Sequence, residues 1–443
     1  MEADWSRLAR PVPSWFTEAR FGVFIHWGPY SVPAWAEPRG ELGTIPDREW
    51  FARNPYAEWY WNSLKIPDSP TADHHRRTYG DAPYEAFLDA WAAERFDADE
   101  LMALIGRAGA RYVVPTTKHH DGVALWPAPG SGTRNTATRG PRRDLITEIA
   151  TAARRRGLRF GTYYSGGLDW GFAPGPPIES RHDFHRPVDE RYAAYAYRQV
   201  VDLIDRFRPD ILWNDIDWPD AGKTDSPLGL FDLLGRYRAA VPDGVINDRW
   251  GVPLSDFRTS EYQQHLDNEA APAWEHCRGI GLSFGYNQLE GENQYLTPRQ
   301  GVRLLVDVVS RGGNLLLNVG PRADGTLPGL QRDVLEGLAA WMRDGSVAIH
   351  GATPVQDGGL FRSEDPWIRW TATSEAVYAM VDPERPDWLE IAPIPREADR
   401  ASWTAPEGLQ SRSTDRGVAV NPSRPSGEAT PLVIRFARSD RTH

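Results

Sequence analysis

The 443-residue chain holds a single cysteine, Cys277, so it forms no internal disulfide and offers no thiolate cluster to a metal. Lysine is almost missing: Lys65, Lys118 and Lys223 stand alone, and arginine supplies the rest of the 50 basic residues. With 61 acids the formal net charge is −11, and no Lys/Arg-rich block stands out, which argues against nucleic acid as a partner. No run of 18 apolar residues occurs, and the segment 1–10 has no apolar core. Neither a membrane span nor a signal peptide is therefore expected, and a soluble, cytoplasmic protein is. No Gly-rich phosphate loop follows a strand-like run, and there is no Gly-x-Ser-x-Gly elbow. Nucleotide cofactors and serine-hydrolase chemistry are thereby set aside, and no cofactor is expected.

What the chain has in excess is tryptophan, 19 residues of it. They cluster early (Trp27, Trp35, Trp50, Trp59, Trp61) and recur near Asp215, without the helical period of a core stripe. An aromatic-lined sugar site and scattered core and surface tryptophan both fit that distribution. The stretch Asp210-Ile-Leu-Trp-Asn-Asp215 is more telling. An apolar β-forming run stops on a carboxylate, with Trp213 before it and Trp218 after it. An Asp that merely caps the next turn is the plain alternative. Indole beside a carboxylate suits a pyranose, which offers C–H faces to the ring and a glycosidic carbon to the acid.

Eight apolar, β-branched or aromatic runs recur, at 21–26, 112–117, 159–164, 211–215, 245–248, 257–261, 282–286 and 314–318. Helical patterns fill several gaps, at 97–109, 143–156, 188–206, 228–240, 299–310 and 331–343. Strand alternating with helix is the pattern of a (β/α)8 barrel. About eight residues separate the fifth and sixth runs, too few for a helical crossover, so an irregular barrel is expected on that side. The Pro- and Trp-rich segment 27–84 reads as an insertion folding over the site. Beyond residue 351 short strands at 367–372, 376–381 and 431–437 predict a small antiparallel β-sandwich, giving a catalytic unit of 1–350 and a second of 351–443.

In a parallel barrel the C-terminal strand ends share one face, where active sites sit. His26 closes the first run and Lys118, His119, His120 and Asp121 the second. Tyr163, Tyr164 and Ser165 close the third, Asp215 the fourth, Asp248 and Arg249 the fifth, and Glu261 the sixth. Taken singly, each has a plain alternative: a satisfied histidine, a packed tyrosine, a surface ion pair for Lys118 or Arg249. Together they make a pocket, with Asp215 and Glu261 as the carboxylate pair that retaining glycosidases place about 5–5.5 Å apart. A metal reading would use His26, His119, His120 and Asp215. Adjacent histidines on an extended strand point to opposite sides, and no His-x-His or His-Glu-x-x-His occurs, so no metal is expected.

The motifs together resemble the retaining α-L-fucosidases of glycoside hydrolase family 29. They are Arg20-Phe-Gly-Val-Phe-Ile-His-Trp-Gly-Pro-Tyr-Ser-Val-Pro33, Glu58-Trp-Tyr60, Lys118-His-His-Asp-Gly122, Tyr163-Tyr-Ser-Gly-Gly-Leu-Asp-Trp170 and Leu212-Trp-Asn-Asp215. Asn247-Asp-Arg-Trp250, Thr259-Ser-Glu-Tyr262 and Gly313-Asn-Leu-Leu-Leu-Asn-Val-Gly-Pro321 follow in family order. The resemblance implies an exo-acting enzyme that hydrolyses terminal α-L-fucosyl residues of oligosaccharides or glycoconjugates through a covalent intermediate. It implies Asp215 as nucleophile and Glu261, where several bacterial members keep it, as acid/base. His26, Glu58, Trp59, His119, His120, Tyr163, Trp213 and Arg249 fall where the family lines its fucose pocket. Either Tyr163 or Tyr164 faces that pocket, Tyr163 being preferred. An α-L-galactosidase and a non-catalytic sugar-binding protein are the competing readings, and a homo-oligomer is compatible with either.

Overall fold

The computed structural model describes residues 3–182, 184–263, 273–356, 358–382, 388–421 and 431–439. Eight parallel strands form one sheet: β1 Phe21–Ile25, β2 Tyr112–Lys118, β3 Arg159–Ser165, β4 Ile211–Asp215, β5 Val245–Ile246, β6 Arg258–Glu261, β7 Trp274–Gly279 and β8 Asn314–Val319. Their order is β5-β4-β3-β2-β1-β8-β7-β6, so β1 pairs with β8 and the ladder is open between β5 and β6. This is the irregular side anticipated from the short connection. A side chain bridges there instead: the Ile246 N–H donates to Asp256 Oδ2 at 2.7 Å, and the Asp256 N–H returns to the Ile246 carbonyl at 2.9 Å.

Helices Ala98–Arg107, Leu145–Arg155, Glu190–Phe207, Leu230–Ala240, Pro298–Ser310 and Gly329–Gly345 fill the six anticipated stretches. Strand parity divides the core in two. Val23, Val113 and Leu212 pack outward among the helices, while Phe24, Tyr112, Ile211 and Trp213 turn into the barrel interior. On β4 that parity carries 211, 213 and then 215 to the inside. Gly22 owes its identity to the same packing. A Cβ there would lie 2.2 Å from the ring of Tyr112, its register partner on β2, whose Oη donates across the barrel to Glu275 Oε2 at 2.6 Å.

The seventh strand is not the expected one. Residues 282–286 are loop, and β7 is Trp274–Gly279, with the polar sequence Trp-Glu-His-Cys-Arg-Gly. Its inward residues are Glu275 and Cys277 rather than aliphatics, because the interior at this level is hydrogen-bonded: Glu275 also accepts from Trp213 Nε1 at 3.1 Å. The run 282–286 is apolar because its loop is buried against the pocket.

The antiparallel strands expected near 367, 376 and 431 are present at Trp367–Ala372, Ala376–Asp382 and Leu432–Arg438. They lie in a six-stranded sheet, faced by a three-stranded sheet of Leu389–Ile391, Val418–Asn421 and Gln410–Ser413. Trp370, Val377, Ile391, Val418 and Phe436 join the two sheets in one apolar core. Arg299, on a barrel helix, donates to both oxygens of the buried Asp382, at 2.8 and 2.7 Å. Among the described residues no helix is long and apolar enough to cross a membrane.

Candidate active site

The strand ends open into one cavity of ≈ 180 Å³. His26, Glu58, Trp59, His119, His120, Tyr163, Trp213, Asp215, Arg249 and Glu261 all line it, so the structure brings together every site residue proposed from the sequence. Five other polar strand-end residues stay outside. Tyr164, of the opposite parity to Tyr163, donates to Gln199 at 2.9 Å beneath the helices. Ser165 accepts His120, Asp121 accepts Tyr84, and Asp248 accepts Thr259. Lys118 is no surface group: fully buried, it holds Asp169 at 2.9 Å. The neighbouring Trp170 N–H donates to the His120 carbonyl at 2.8 Å, so that ion pair ties together the two loops behind His120. Of the tryptophans flanking Asp215, only Trp213 faces the cavity; Trp218 packs on Trp250 in the core.

One guanidinium joins the two carboxylates. Arg249 Nη1 donates to Asp215 Oδ1 at 3.0 Å and Nη2 to Glu261 Oε2 at 2.8 Å. Each carboxylate takes a tyrosine on its other oxygen: Tyr163 Oη donates to Asp215 Oδ2 at 2.7 Å, and Tyr56 Oη to Glu261 Oε1 at 3.0 Å. The guanidinium rests on the Trp213 ring, 4.7 Å from its centroid, and its Nε donates to Thr259 Oγ1 at 3.1 Å. Burial alone pushes the Asp215 carboxyl up. Arg249, His120 and the Tyr163 hydrogen bond outweigh burial and hold it below the ordinary carboxylate value, so Asp215 is ionised. After Asp215 the chain turns through two left-handed residues, Ile216 (φ 60) and Asp217 (φ 84). For a β-branched residue this conformation costs on the order of 1–3 kcal/mol. The Ile216 N–H donates to Asp215 Oδ1 at 3.0 Å, and Lys223 holds Asp217 at 2.9 Å.

The histidines present acceptors. Asn318 Nδ2 donates to the Phe284 carbonyl at 2.7 Å, so its Oδ1 must accept from His26 Nδ1, 2.7 Å away, leaving His26 Nε2 a bare lone pair. Ser165 Oγ donates to the Leu168 carbonyl at 2.7 Å and so accepts from His120 Nδ1 at 2.8 Å. His120 Nε2 then faces Asp215 Oδ2 across 3.8 Å. Burial pushes His26 down to about 3 and His120 to about 4, and drives His119 well below the ordinary value, so all three are neutral. The expectation that His119 and His120 diverge is corrected here. Both lie beyond the last residue of β2, where strand alternation no longer applies, and their ring centroids are 3.9 Å apart. Among the described residues no group of three His, Cys, Asp or Glu side chains is placed to hold a metal.

Glu58 arrives from the insertion and grips the loop 282–286. Its Oε2 accepts from the Gly285 N–H at 2.7 Å and Ser283 Oγ at 3.1 Å, and burial pushes its carboxyl up to about 7. Glu290 holds the same loop through the Ser283 N–H at 2.8 Å, pushed up to about 8, chiefly by burial. A raised value in the folded state means stability that is full below 4.5 and lost as pH rises through about 8. Thermal unfolding of Glu290→Gln is therefore expected to lose less stability than the wild type across that window, by a few kcal/mol. Parallel pH dependences of Tm for the two proteins would contradict it.

The cavity also holds residues that the sequence reading passed over. Phe24 shares the inward parity of His26, and Phe284, in the loop 282–286, stands 4.8 Å from the His26 ring. Tyr56, two positions before Glu58, could have been reached from that motif. Cys277 lies 3.9 Å from Arg249, with burial pushing its thiol up. Leu42, Trp50 and Phe51, from the 27–84 insertion, and Arg181, Phe184 and Ile216 complete the wall; of these only Trp50 carried a signal of its own, as one of the early tryptophans.

A family model described as alpha-L-fucosidase matches residues 1–346. The chain belongs to the alpha-L-fucosidase family of glycoside hydrolases. It is 30% identical over 456 residues to an alpha-L-fucosidase of Dictyostelium discoideum, covering 98% of this chain and 94% of that one. A solved alpha-L-fucosidase superposes with a TM-score of 0.87 at 43% identity, over 98% and 99% of the two chains. The Thermotoga maritima alpha-fucosidase in complex with a mechanism-based inhibitor gives 0.84 at 42%, again over 98% and 99%. The alpha-L-fucosidase family model ends one residue past the barrel helix Gly329–Gly345, whereas the likeness to solved fucosidases runs on through the antiparallel sheets.

Proposed function

We propose that the chain removes terminal α-L-fucosyl residues from fucosylated oligosaccharides or glycoconjugates with retention, through a covalent fucosyl-enzyme. The single observation behind this is the pair Asp215 and Glu261 bridged by Arg249 at the wall of a small cavity. Ionised Asp215 attacks the anomeric carbon; protonated Glu261 gives its proton to the leaving oxygen and then, as carboxylate, activates water. Neutral His26 and His120 accept hydrogen bonds from sugar hydroxyls, and Glu58 and Trp59 hold the remaining faces. The apolar corner of Phe24, Trp213 and Phe284 suits the C5 methyl of fucose. A cavity of ≈ 180 Å³, below the roughly 300–1,000 Å³ of drug-sized sites, is too small for an internal stretch of glycan and suits an exo action. Proton NMR of an aryl α-L-fucoside digest tests the reading: α-L-fucose must appear first and mutarotate afterwards. β-L-Fucose as first product, or tenfold or greater preference for an unrelated pyranoside, would sink it.

Arginine cannot accept a hydrogen bond, whereas a tyrosine hydroxyl can both donate and accept. In this reading the catalytic proton of Glu261 therefore sits on Oε1, the oxygen facing Tyr56, while Oε2 stays with Arg249. Tyr56→Phe is expected to lower kcat/KM roughly fivefold to tenfold on fucosides with poor leaving groups and little on a nitrophenyl fucoside, which needs little acid help. Equal losses on both would mean that Tyr56 only supports packing.

A further inference from the structure

We propose that the part of the cavity walled by Leu42, Trp50, Phe51 and Phe184 is a leaving-group subsite for an uncharged aglycone that presents an apolar face. The inference rests on Glu261 being the acid/base, because it is the position beside that carboxyl that receives the departing oxygen.

Two connections place this wall on the Glu261 side. Trp50 meets the Tyr56 ring edge-on at 4.9 Å, and Tyr56 is the residue bonded to Glu261. The Leu42 carbonyl accepts the N–H of Gln263, two residues beyond Glu261, at 3.2 Å. From there the wall continues through aromatic contacts. Phe51 and Phe184 meet edge to face at 6.3 Å and touch Trp59 at 6.0 and 6.2 Å. Apart from Arg181, the side chains of this stretch of the lining, Leu42, Trp50, Phe51 and Phe184, present carbon.

The charges at the rim are already engaged. Arg181 Nε lies 2.6 Å from Asp47 Oδ1, and its backbone N–H donates to Asp47 Oδ2 at 3.1 Å. Glu41 is held by Arg278 at 3.1 Å and by Gln263 Nε2 at 2.9 Å. An anionic aglycone would have to displace one of these pairs, whereas an aryl ring or the C–H face of a neutral pyranose would meet aromatic edges. Both sources share one chemistry, an uncharged apolar face.

Phe184→Ala and Leu42→Ala, at half-buried positions away from the carboxylates, test the assignment. Three substrates separate its parts: α-L-fucosyl fluoride, which has no aglycone, a phenyl α-L-fucoside, and a neutral fucosyl-hexose disaccharide. Each variant should lose roughly fivefold to tenfold in kcat/KM on the phenyl fucoside, the disaccharide or both, with the fluoride within about twofold of wild type. Which of the two falls further tells an aryl from a sugar aglycone. An equal loss on the fluoride would mean that these residues act through Trp59 on the fucose site, and unchanged kinetics on every substrate would mean that the wall touches no aglycone; either overturns the proposal. Trp50→Phe, which keeps an aromatic ring beside Tyr56, gives a second reading should one of the first variants fold poorly. A 4-carboxyphenyl fucoside should be a poorer substrate than the phenyl one beyond its leaving-group effect, and a better one would overturn the uncharged class. If the wild-type chain hydrolysed none of the substrates, the hydrolase reading itself would fall, and the subsite with it.

Discussion

Asp215→Gly is expected to lower kcat on an aryl α-L-fucoside by roughly a thousandfold or more, and added azide to restore turnover as β-L-fucosyl azide. The geometry gives both halves. Asp215 is the inward terminal residue of β4, and Arg249 and Tyr163 hold its two oxygens at 3.0 and 2.7 Å. Glycine removes the attacking oxygens and leaves a space of about carboxylate size, bordered by cationic Arg249. A small anion is drawn into it and attacks the same carbon with one inversion. Because Glu261 keeps Tyr56 and Arg249 as partners, leaving-group protonation survives in the variant. Circular dichroism should stay that of the wild type, since the substitution lies at a strand end beside a cavity. Near-wild-type activity in the Asp215 variant would end the nucleophile assignment, and azide rescue giving the α-azide would mean that a different group attacks first.

How much of this was legible in the sequence depended on what each position has to do. Asp215 was readable because a buried strand ends on it: Ile211 and Trp213 share its inward parity, and period two does the rest. Tyr163 and Tyr164 separate by the same rule once β3 is seen to start at Arg159. The open ladder between β5 and β6 was countable from chain length alone. β7 was not, because its inward residues are Glu275 and Cys277, and a barrel interior held by hydrogen bonds hides the apolar signal. The rule that adjacent side chains diverge failed for His119 and His120, since it holds only inside a strand. Of the scarce lysines, Lys118 and Lys223 turn out to hold loops behind Asp215 through Asp169 and Asp217. The tryptophan excess divided as both readings allowed. Trp50, Trp59 and Trp213 line the cavity, while Trp27, Trp91, Trp126 and Trp250 are core. Residues such as Phe184 belong to the site only because two distant loops meet, and nothing local in a sequence records that meeting.

Glu261→Ala should separate from Asp215→Gly in the product rather than in the size of the loss. With a nitrophenyl leaving group the first step needs little acid help, so the fucosyl-enzyme on Asp215 still forms, but water is no longer activated and the intermediate accumulates. A burst of nitrophenol followed by a slow steady state is the expected trace, and intact-mass analysis should show the added fucosyl group. Azide needs no base, so it is expected to speed the second step and give α-L-fucosyl azide, the outcome of two inversions. Loss of Glu261 also leaves Arg249 Nη2 and the Tyr56 hydroxyl without their partner, so part of any loss in kcat/KM reflects a displaced guanidinium. Glu261→Gln separates the two effects, because the amide oxygen still accepts from Arg249 while the group cannot transfer a proton. If the alanine variant turned over aryl and poor-leaving-group fucosides at wild-type rates, the acid/base would have to be another carboxyl of the cavity. Glu58, pushed up to about 7 by burial, is the one the structure offers. Its Oε2 is committed to Gly285 and Ser283, however, so it could reach a glycosidic oxygen only through Oε1. Glu58→Gln would then abolish proton transfer while keeping that loop in place, and in the assignment made above it should instead weaken fucose binding and leave the leaving-group dependence of kcat/KM intact.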